Sequence, residues 1–147
     1  KYSKNKYILL KCNSTYPSPM NDINLNSIHY MKKKYKTIIG LSDHTTSNLA
    51  CFASVALGAC ILERHFTDCM KRKGPDIVNS MDPKALSELI NGCSELQKMR
   101  GGKKEAVEEE QVTIDFAFAT VVTIKPIKQG EKFTTENLWV KRPGIGV

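Results

Sequence analysis

Three polar clusters in the first half of the chain carry side chains that can bind a metal ion or contact an anion. Each cluster follows or ends a short apolar run, and together they hold two of the three histidines of the chain. Imidazoles with carboxylates and hydroxyls nearby are typical of metal-assisted chemistry. The clusters are Cys12–Pro17, Ser42–His44 and Glu63–His65.

The spacing within two of these clusters predicts which side chains face each other. Residues two apart on a strand point to the same face, so Ser42 and His44 share a face, as do Glu63 and His65. Two imidazoles with nearby oxygen atoms suit a catalytic divalent cation. A hydrogen-bonded structural role for both histidines is the alternative. A Ser42–His44 hydrolase triad is disfavoured, because adjacent residues of an extended segment cannot all face one another and no G-x-S-x-G motif is present.

A further carboxylate follows the third cluster, in the loop Gly74–Asp76. Such a loop carboxylate can bind sugar hydroxyls when it lies near the end of a strand. Pro–Asp is also common in plain turns, so both interpretations of this loop remain open.

The elements that must position these groups alternate between strands and helices. Alternation at this spacing predicts parallel strands joined by helical crossovers, and the almost wholly apolar strands predict a sheet covered on both faces. In such folds functional groups gather at the carboxyl ends of the strands, where all three clusters fall. The predicted strands are Tyr7–Cys12, Thr37–Leu41 and Cys60–Phe66, and the predicted helices are Leu25–Tyr35, Leu49–Ala56 and Pro83–Leu96.

The chain changes character after Gly101–Gly102. Residues Lys103–Thr113 are rich in charge and are expected to form a linker. Beyond them, Phe116–Ile124 and Leu138–Val140 have strand-like sequences separated by turn residues. This part is therefore expected to begin a small β-rich domain that the sequence does not finish.

Composition and charge disfavour several classes of protein. The chain has 147 residues, a net charge of +7, 41% hydrophobic and 25% charged residues, which is typical of a globular protein. Its basic residues are scattered without alternating aromatic residues, so we expect no nucleic-acid binding, although the charge can attract an anionic substrate. No apolar run approaches the ~20 residues of a membrane helix and no signal peptide is seen. We therefore expect a soluble, cytoplasmic protein with no membrane contact.

The five cysteines are odd in number and form no C-x-x-C pair. This pattern argues against a disulfide framework and against a structural zinc site. We expect most of the cysteines to be small buried hydrophobic residues.

Several segments, in order along nearly the whole chain, resemble the sialic acid synthases, enzymes that condense phosphoenolpyruvate with N-acetylmannosamine. No single segment is decisive, but their combination is specific. The matching segments are Leu9–Pro19 (LLKCNSTYPSP), Gly40–Thr45 (GLSDHT), Val55–Thr67 (VALGACILERHFT), Gly74–Met81 (GPDIVNSM), Arg100–Glu105 (RGGKKE), Phe116–Val122 (FAFATVV) and Asn137–Gly144 (NLWVKRPG).

The resemblance implies an α/β fold in two domains. Residues 1–100 would be the last three strand–helix units of a (β/α)8 TIM barrel, 101–118 a linker, and 119–147 the start of an antifreeze-like (SAF) domain. A whole barrel takes roughly 250 residues, so the earlier strands are expected to be absent and the 147 residues alone to be inactive. The resemblance also implies a homodimer in which the SAF domain reaches the active site of the partner subunit.

The resemblance further implies two histidine ligands for Mn²⁺ or Mg²⁺, two serines that contact phosphoenolpyruvate, two residues near the N-acyl sugar and one catalytic carboxylate beside the metal. In that order they are His44 and His65, Ser14 and Ser42, Tyr16 and Asp76, and Glu63. Lys11, Asn13 and Ile77 depart from the pattern of many relatives and leave the exact sugar open.

The implied reaction is a metal-dependent carbon–carbon bond formation that releases phosphate. The cation polarises the sugar aldehyde, C3 of phosphoenolpyruvate attacks it, and water oriented by Glu63 adds at C2. Two alternatives remain: a related synthase that makes pseudaminic or legionaminic acid, and a non-catalytic carbohydrate-binding remnant. A pure binding module has no need of both His44 and His65, so that pair discriminates between the classes.

Overall fold

A computed structural model describes residues 6–144 of the chain. The chain divides into two compact units, the first ending at Gly101 and the second beginning at Gly102. Within the described residues, no helix is long and apolar enough to cross a membrane.

The first unit is a three-stranded parallel sheet with helices between its strands. The strand order is β1-β2-β3, with Ile8 paired to Ile38 and Ser42 paired to Glu63. The predicted alternation of parallel strands and helices is therefore confirmed, although β3 is shorter than expected and β2 extends two residues further, to Asp43. The elements are β1 (Ile8–Cys12), α1 (Ser27–Tyr35), β2 (Ile38–Asp43), α2 (Leu49–Ala56), β3 (Leu62–Arg64) and α3 (Pro83–Met99), with short 3-10 turns at Met20–Asp22 and Ile77–Asn79.

The two faces of this sheet are very different. On the helix-covered face, Leu41 is 1% exposed and packs in a core with Cys51 and Leu89. On the other face, the paired residues Ile8 and Ile38 are 46% and 51% exposed. The expectation that both faces are covered is thus wrong for this unit, because within residues 6–101 the helices lie on one side of the strands only.

Local signals explain where the helices begin and end. The Asp82 carboxylate accepts a hydrogen bond from the Ala85 N–H at 2.8 Å, and Pro83 occupies the first turn, so α3 starts with a strong cap. Gly58, just after α2, has a φ of +100°, a left-handed conformation that glycine adopts without strain. Lys36, the first residue after α1, is also left-handed, with a φ of +51°, and it follows a basic last turn that complements the helix dipole.

The second unit contains a helix where a linker and a strand were predicted. Residues Glu108–Glu110 form a 3-10 turn that leads into α4 (Gln111–Ala117), so Phe116 and Ala117 are helical and the strand begins only at Thr120. Three acidic residues at the helix start favour its dipole, and Gln111 donates to Asp115 one turn later at 2.6 Å. Strands β4 (Thr120–Thr123) and β5 (Leu138–Lys141) then pair antiparallel.

All five cysteines are free, as predicted, but three of them are exposed. Cys51 is buried in the core and Cys93 is partly buried. The expectation of mostly buried cysteines is therefore wrong, because the exposed ones lie at a strand end, in the α2–β3 turn and in the loop after β3. These exposed cysteines are Cys12, Cys60 and Cys69.

Candidate functional site

The pairing of β2 with β3 brings the predicted site residues together. Ser42 lies opposite Glu63, and its hydroxyl donates to Glu63 Oε1 at 2.7 Å. Two residues further along each strand, the rings of His44 and His65 have their centroids 5.3 Å apart at an interplanar angle of 66°. The alternation predicted from the sequence therefore places all four side chains on one face, at the carboxyl ends of the strands.

His44 is held in one orientation by the loop that follows β1. Its Nδ1 lies 2.7 Å from the carbonyl oxygen of Asn13, and the residue is 5% exposed. Because a carbonyl can only accept, Nδ1 carries a proton, and Nε2 is the ring nitrogen left to bind a ligand. The same loop is fastened again by the Ser18 N–H, which donates to the His44 carbonyl at 2.9 Å.

Tyr16 covers the two histidines from the solvent side. Its ring centroid lies 4.2 Å from that of His44 and 5.9 Å from that of His65. The side chain remains half exposed, so its ring forms a wall of the site and its outer part faces solvent. Ser14, two residues earlier, is exposed and makes no hydrogen bond within residues 6–144.

Asp76 lies beside His65 at the edge of the site. Its Oδ2 is 3.9 Å from His65 Nδ1, and both side chains are partly exposed. The loop that carries Asp76 returns to the strand bearing His65, because the Met81 N–H donates to the His65 carbonyl at 2.9 Å. The structure thus brings six of the seven predicted site residues into one cluster, and among the described residues Ser14 makes no hydrogen bond to that cluster.

Comparison with known proteins places the chain in a family. Residues 1–105 match the NeuB family. The chain belongs to the NeuB family. It is 41% identical over 141 residues to an uncharacterized protein of Methanocaldococcus jannaschii, and 40% identical over 140 residues to an N,N'-diacetyllegionaminic acid synthase of Campylobacter jejuni. Each alignment covers 95% of this chain and 42% of the relative, so the chain spans about two fifths of the length of these relatives.

A solved structure has a similar fold. The crystal structure of N-acetylneuraminic acid (sialic acid) synthetase from Leptospira borgpetersenii, in complex with citrate, matches with a TM-score of 0.68 and 39% identity. The match covers 73% of this chain and 38% of that one. The expected membership of the sialic acid synthase family is therefore confirmed, together with a mixed α/β fold like that of its members.

The side chains at this site fit a metal site that leaves coordination positions for substrate and water better than one filled by protein ligands alone. Within the residues that the structure describes, no group of three or more His, Cys, Asp or Glu side chains is arranged to hold a metal ion. A cation would take His44 and His65 as protein ligands and would draw its other ligands from substrate and water. The hydrogen bond from His44 Nδ1 to a backbone carbonyl is the arrangement that orients metal-binding histidines elsewhere.

Sequence reasoning missed the residues behind the site. Asp43 and Arg64 alternate with the site residues, so they point to the helix-covered face, where their side chains are 0% and 2% exposed. Burial, with the nearby Asp43 carboxylate, raises the pKa of the Cys51 thiol far above its usual range, so Cys51 stays protonated and donates to Asp43 Oδ2 at 3.4 Å. The only signal in the sequence was that an acidic residue, Asp43, and a basic residue, Arg64, each stand directly before a candidate histidine.

Proposed function

We propose that the chain is part of a synthase that condenses phosphoenolpyruvate with an N-acetylmannosamine-type sugar and releases phosphate. The single observation that supports this best is the pairing of His44 with His65, directly beside the Ser42–Glu63 hydrogen bond on one face of a NeuB-family sheet. The relatives named as sugar-acid synthases support the same class of reaction.

His44 and His65 would hold a divalent cation, Mn²⁺ or Mg²⁺, which supplies Lewis-acid polarisation of the sugar aldehyde when bound. The Asn13 carbonyl holds a proton on His44 Nδ1, so that Nε2 is the nitrogen that would bind the cation. The Tyr16 ring, tilted by 41° against the His44 imidazole, limits access of water to it.

Glu63 is the residue best placed to handle the proton of the attacking water. A bond forms between C3 of phosphoenolpyruvate and the aldehyde carbon, and water then adds at C2. Glu63 accepts one proton of that water and returns it to the alkoxide oxygen that the aldehyde has become. The C2–O bond to phosphate then breaks, and the leaving phosphate takes the proton of the C2 hydroxyl, which leaves a ketone at C2. Glu63 Oε1 accepts the Ser42 hydroxyl, which fixes the carboxylate and leaves Oε2 to face the water. Ser14 supplies a hydroxyl donor for phosphoenolpyruvate, and Ser42 can donate to that substrate once its single hydroxyl proton turns away from Glu63. The net charge of +7 attracts the anion.

The sugar substrate of the proposed reaction belongs to a group of related N-acyl hexoses. The 40% identity to an N,N'-diacetyllegionaminic acid synthase makes a legionaminic or pseudaminic acid synthase the second candidate. The full-length parent protein should be assayed for phosphate release with phosphoenolpyruvate and a panel of mono- and di-N-acetylated hexoses. Turnover with N-acetylmannosamine alone supports the first candidate, and turnover only with a diacetylated sugar supports the second. No phosphate release with any sugar contradicts both and favours a non-catalytic remnant.

Asp76 provides a test of the sugar side of the site. A charge-assisted hydrogen bond to a sugar hydroxyl is worth about 1.5–3 kcal/mol, so Asp76→Asn should lower kcat/KM for the sugar by about 10- to 100-fold. The KM for phosphoenolpyruvate should stay within about twofold of wild type, because no interaction with that substrate is altered. Asp68→Asn is the matched control, since Asp68 lies on the same connection but pairs with Arg72 in solvent. Equal effects on both substrates, or on neither, would remove Asp76 from the sugar site.

A further inference from the structure

A buried ion pair lies directly behind the two histidines. Arg64 Nε is 3.3 Å from Asp43 Oδ2, and both side chains are almost completely buried between the sheet and its helices. Asp43 immediately precedes His44, and Arg64 immediately precedes His65. The pair therefore joins β2 to β3 at the step just before the histidines, on the opposite face of the sheet.

The Asp43 carboxylate also fixes the backbone on the far side of His44. Its Oδ1 accepts the Thr45 N–H at 3.0 Å, and its Oδ2 accepts the Thr45 hydroxyl at 3.0 Å. These bonds tie the residues before and after His44 to one carboxylate. These hydrogen bonds therefore fix the direction in which the His44 side chain leaves the backbone.

Arg64 connects this short segment to the next strand and to the helices. Its Nη2 donates to the Thr45 carbonyl at 2.7 Å, and its Nη1 donates to the Asn48 side-chain oxygen. Asn48 in turn donates to the Ala85 carbonyl of α3 at 2.9 Å. The guanidinium thus spans the backbones that carry both histidines, through contacts that a shorter or single-headed side chain cannot reproduce.

We propose that Asp43 and Arg64 are positioning residues that set the separation of the His44 and His65 rings and thereby the cation affinity of the site. The statement about cation affinity rests on the proposed function, and the statement about ring separation is independent of it. A buried ion pair adds little stability compared with a well-packed apolar pair, because desolvation of the charges offsets their attraction. What Arg64 and Asp43 provide that an apolar pair lacks is a set of directional hydrogen bonds to Thr45, beside His44, which the ion pair joins across the two histidine-bearing strands.

The test uses the full-length parent enzyme and three variants. Arg64→Met and the double variant Asp43→Leu/Arg64→Met remove the link, and Leu89→Ala is a control that disturbs the same core without touching the histidine segments. Mn²⁺ affinity is measured by electron paramagnetic resonance, and the ring separation by a crystal structure of each variant. Outer-shell partners of metal ligands contribute about 10- to 100-fold to affinity, and we expect a loss of that size in both link variants. Leu89→Ala should lower the melting temperature and leave Mn²⁺ affinity unchanged.

The double variant keeps the proposal falsifiable if Arg64→Met alone fails to fold, because it leaves no unpaired buried charge. The proposal predicts that it regains only part of the melting temperature, because the buried Thr45 donors lose their carboxylate acceptor, and that it regains neither the Mn²⁺ affinity nor the 5.3 Å ring separation. A folded link variant with wild-type separation and wild-type affinity would overturn the proposal. If the wild-type enzyme binds no Mn²⁺, the proposed function fails, and the ring separation in the link variants still decides whether Asp43 and Arg64 position the histidines.

Discussion

Replacing Gly40 by alanine should separate β2 from β3 and disturb the site that they carry. Gly40 lies on the same face of β2 as Ser42 and His44. A Cβ atom at this position would lie 2.4 Å from the Ile61 carbonyl oxygen and 2.5 Å from Leu10 Cδ2. The carbonyl cannot simply turn away, because it accepts the Leu41 N–H at 2.9 Å and so forms part of the pairing of the two strands.

The size of the effect follows from these contacts. Overpacking of a well-packed region costs about 1–3 kcal/mol, and weakening the strand-pairing hydrogen bond adds about 1 kcal/mol. With urea m-values of about 1–3 kcal/mol/M, the unfolding midpoint should fall by about 1–2 M. Because Ile61 precedes Glu63 and His65 on the same strand, Mn²⁺ affinity should fall with it.

Urea denaturation followed by circular dichroism measures this effect. Gly102→Ala is the matched control, since a Cβ atom there meets no atom within 4 Å and its midpoint should change little. A Gly40→Ala midpoint equal to that of the control would refute the reasoning, because it would mean that the strands can separate without cost.

Two further outcomes are expected from buried titratable groups. Burial lowers the pKa of Lys11 below 10.5, so at alkaline pH the unfolded chain binds more protons than the folded chain. The amount by which buried Lys11 destabilises the fold therefore decreases as the pH rises. Lys11→Met should therefore unfold at higher urea than wild type at pH 7, with an advantage that shrinks as the pH approaches 10.5; a constant advantage would contradict this. Burial also raises the pKa of Cys51, so a disulfide reagent such as DTNB should label it only after unfolding. Labelling of Cys51 in the native protein as fast as the exposed thiols, which are Cys12, Cys60 and Cys69, would show that the core opens.

The four central site residues could be predicted because side chains two positions apart on a strand point to the same face of the sheet. An alternation of two, placed at the ends of neighbouring strands, was enough to bring Ser42, His44, Glu63 and His65 to one face. The Asn13 carbonyl that orients His44 could not be found in this way, since every residue has a carbonyl and only the folded loop selects one.

Charged residues at alternate positions were harder to interpret. Asp43 and Arg64 lie within the polar clusters that mark the site, yet they point away from it into the core. Only the pairing of β2 with β3 shows that their charges neutralise each other, and that pairing depends on tertiary structure.

The second unit shows where local pattern was misleading. The alternating apolar residues around Phe116 favour a strand, but the three glutamates of the 3-10 turn before α4 and the Gln111–Asp115 hydrogen bond stabilise a helix through Ala117. Polar contacts one turn apart outweighed the apolar alternation in this short segment.

Metal dependence of phosphate release by the full-length parent enzyme tests the central claim most directly. The enzyme is stripped with a chelator and then titrated with Mn²⁺ in the presence of phosphoenolpyruvate and the sugar that it accepts, as wild type and as His44→Ala. The account predicts that stripped wild type is inactive and recovers with Mn²⁺, whereas folded His44→Ala stays at least about 1000-fold less active at any Mn²⁺ concentration. Full turnover by the stripped wild type, or near wild-type turnover by His44→Ala, would contradict it.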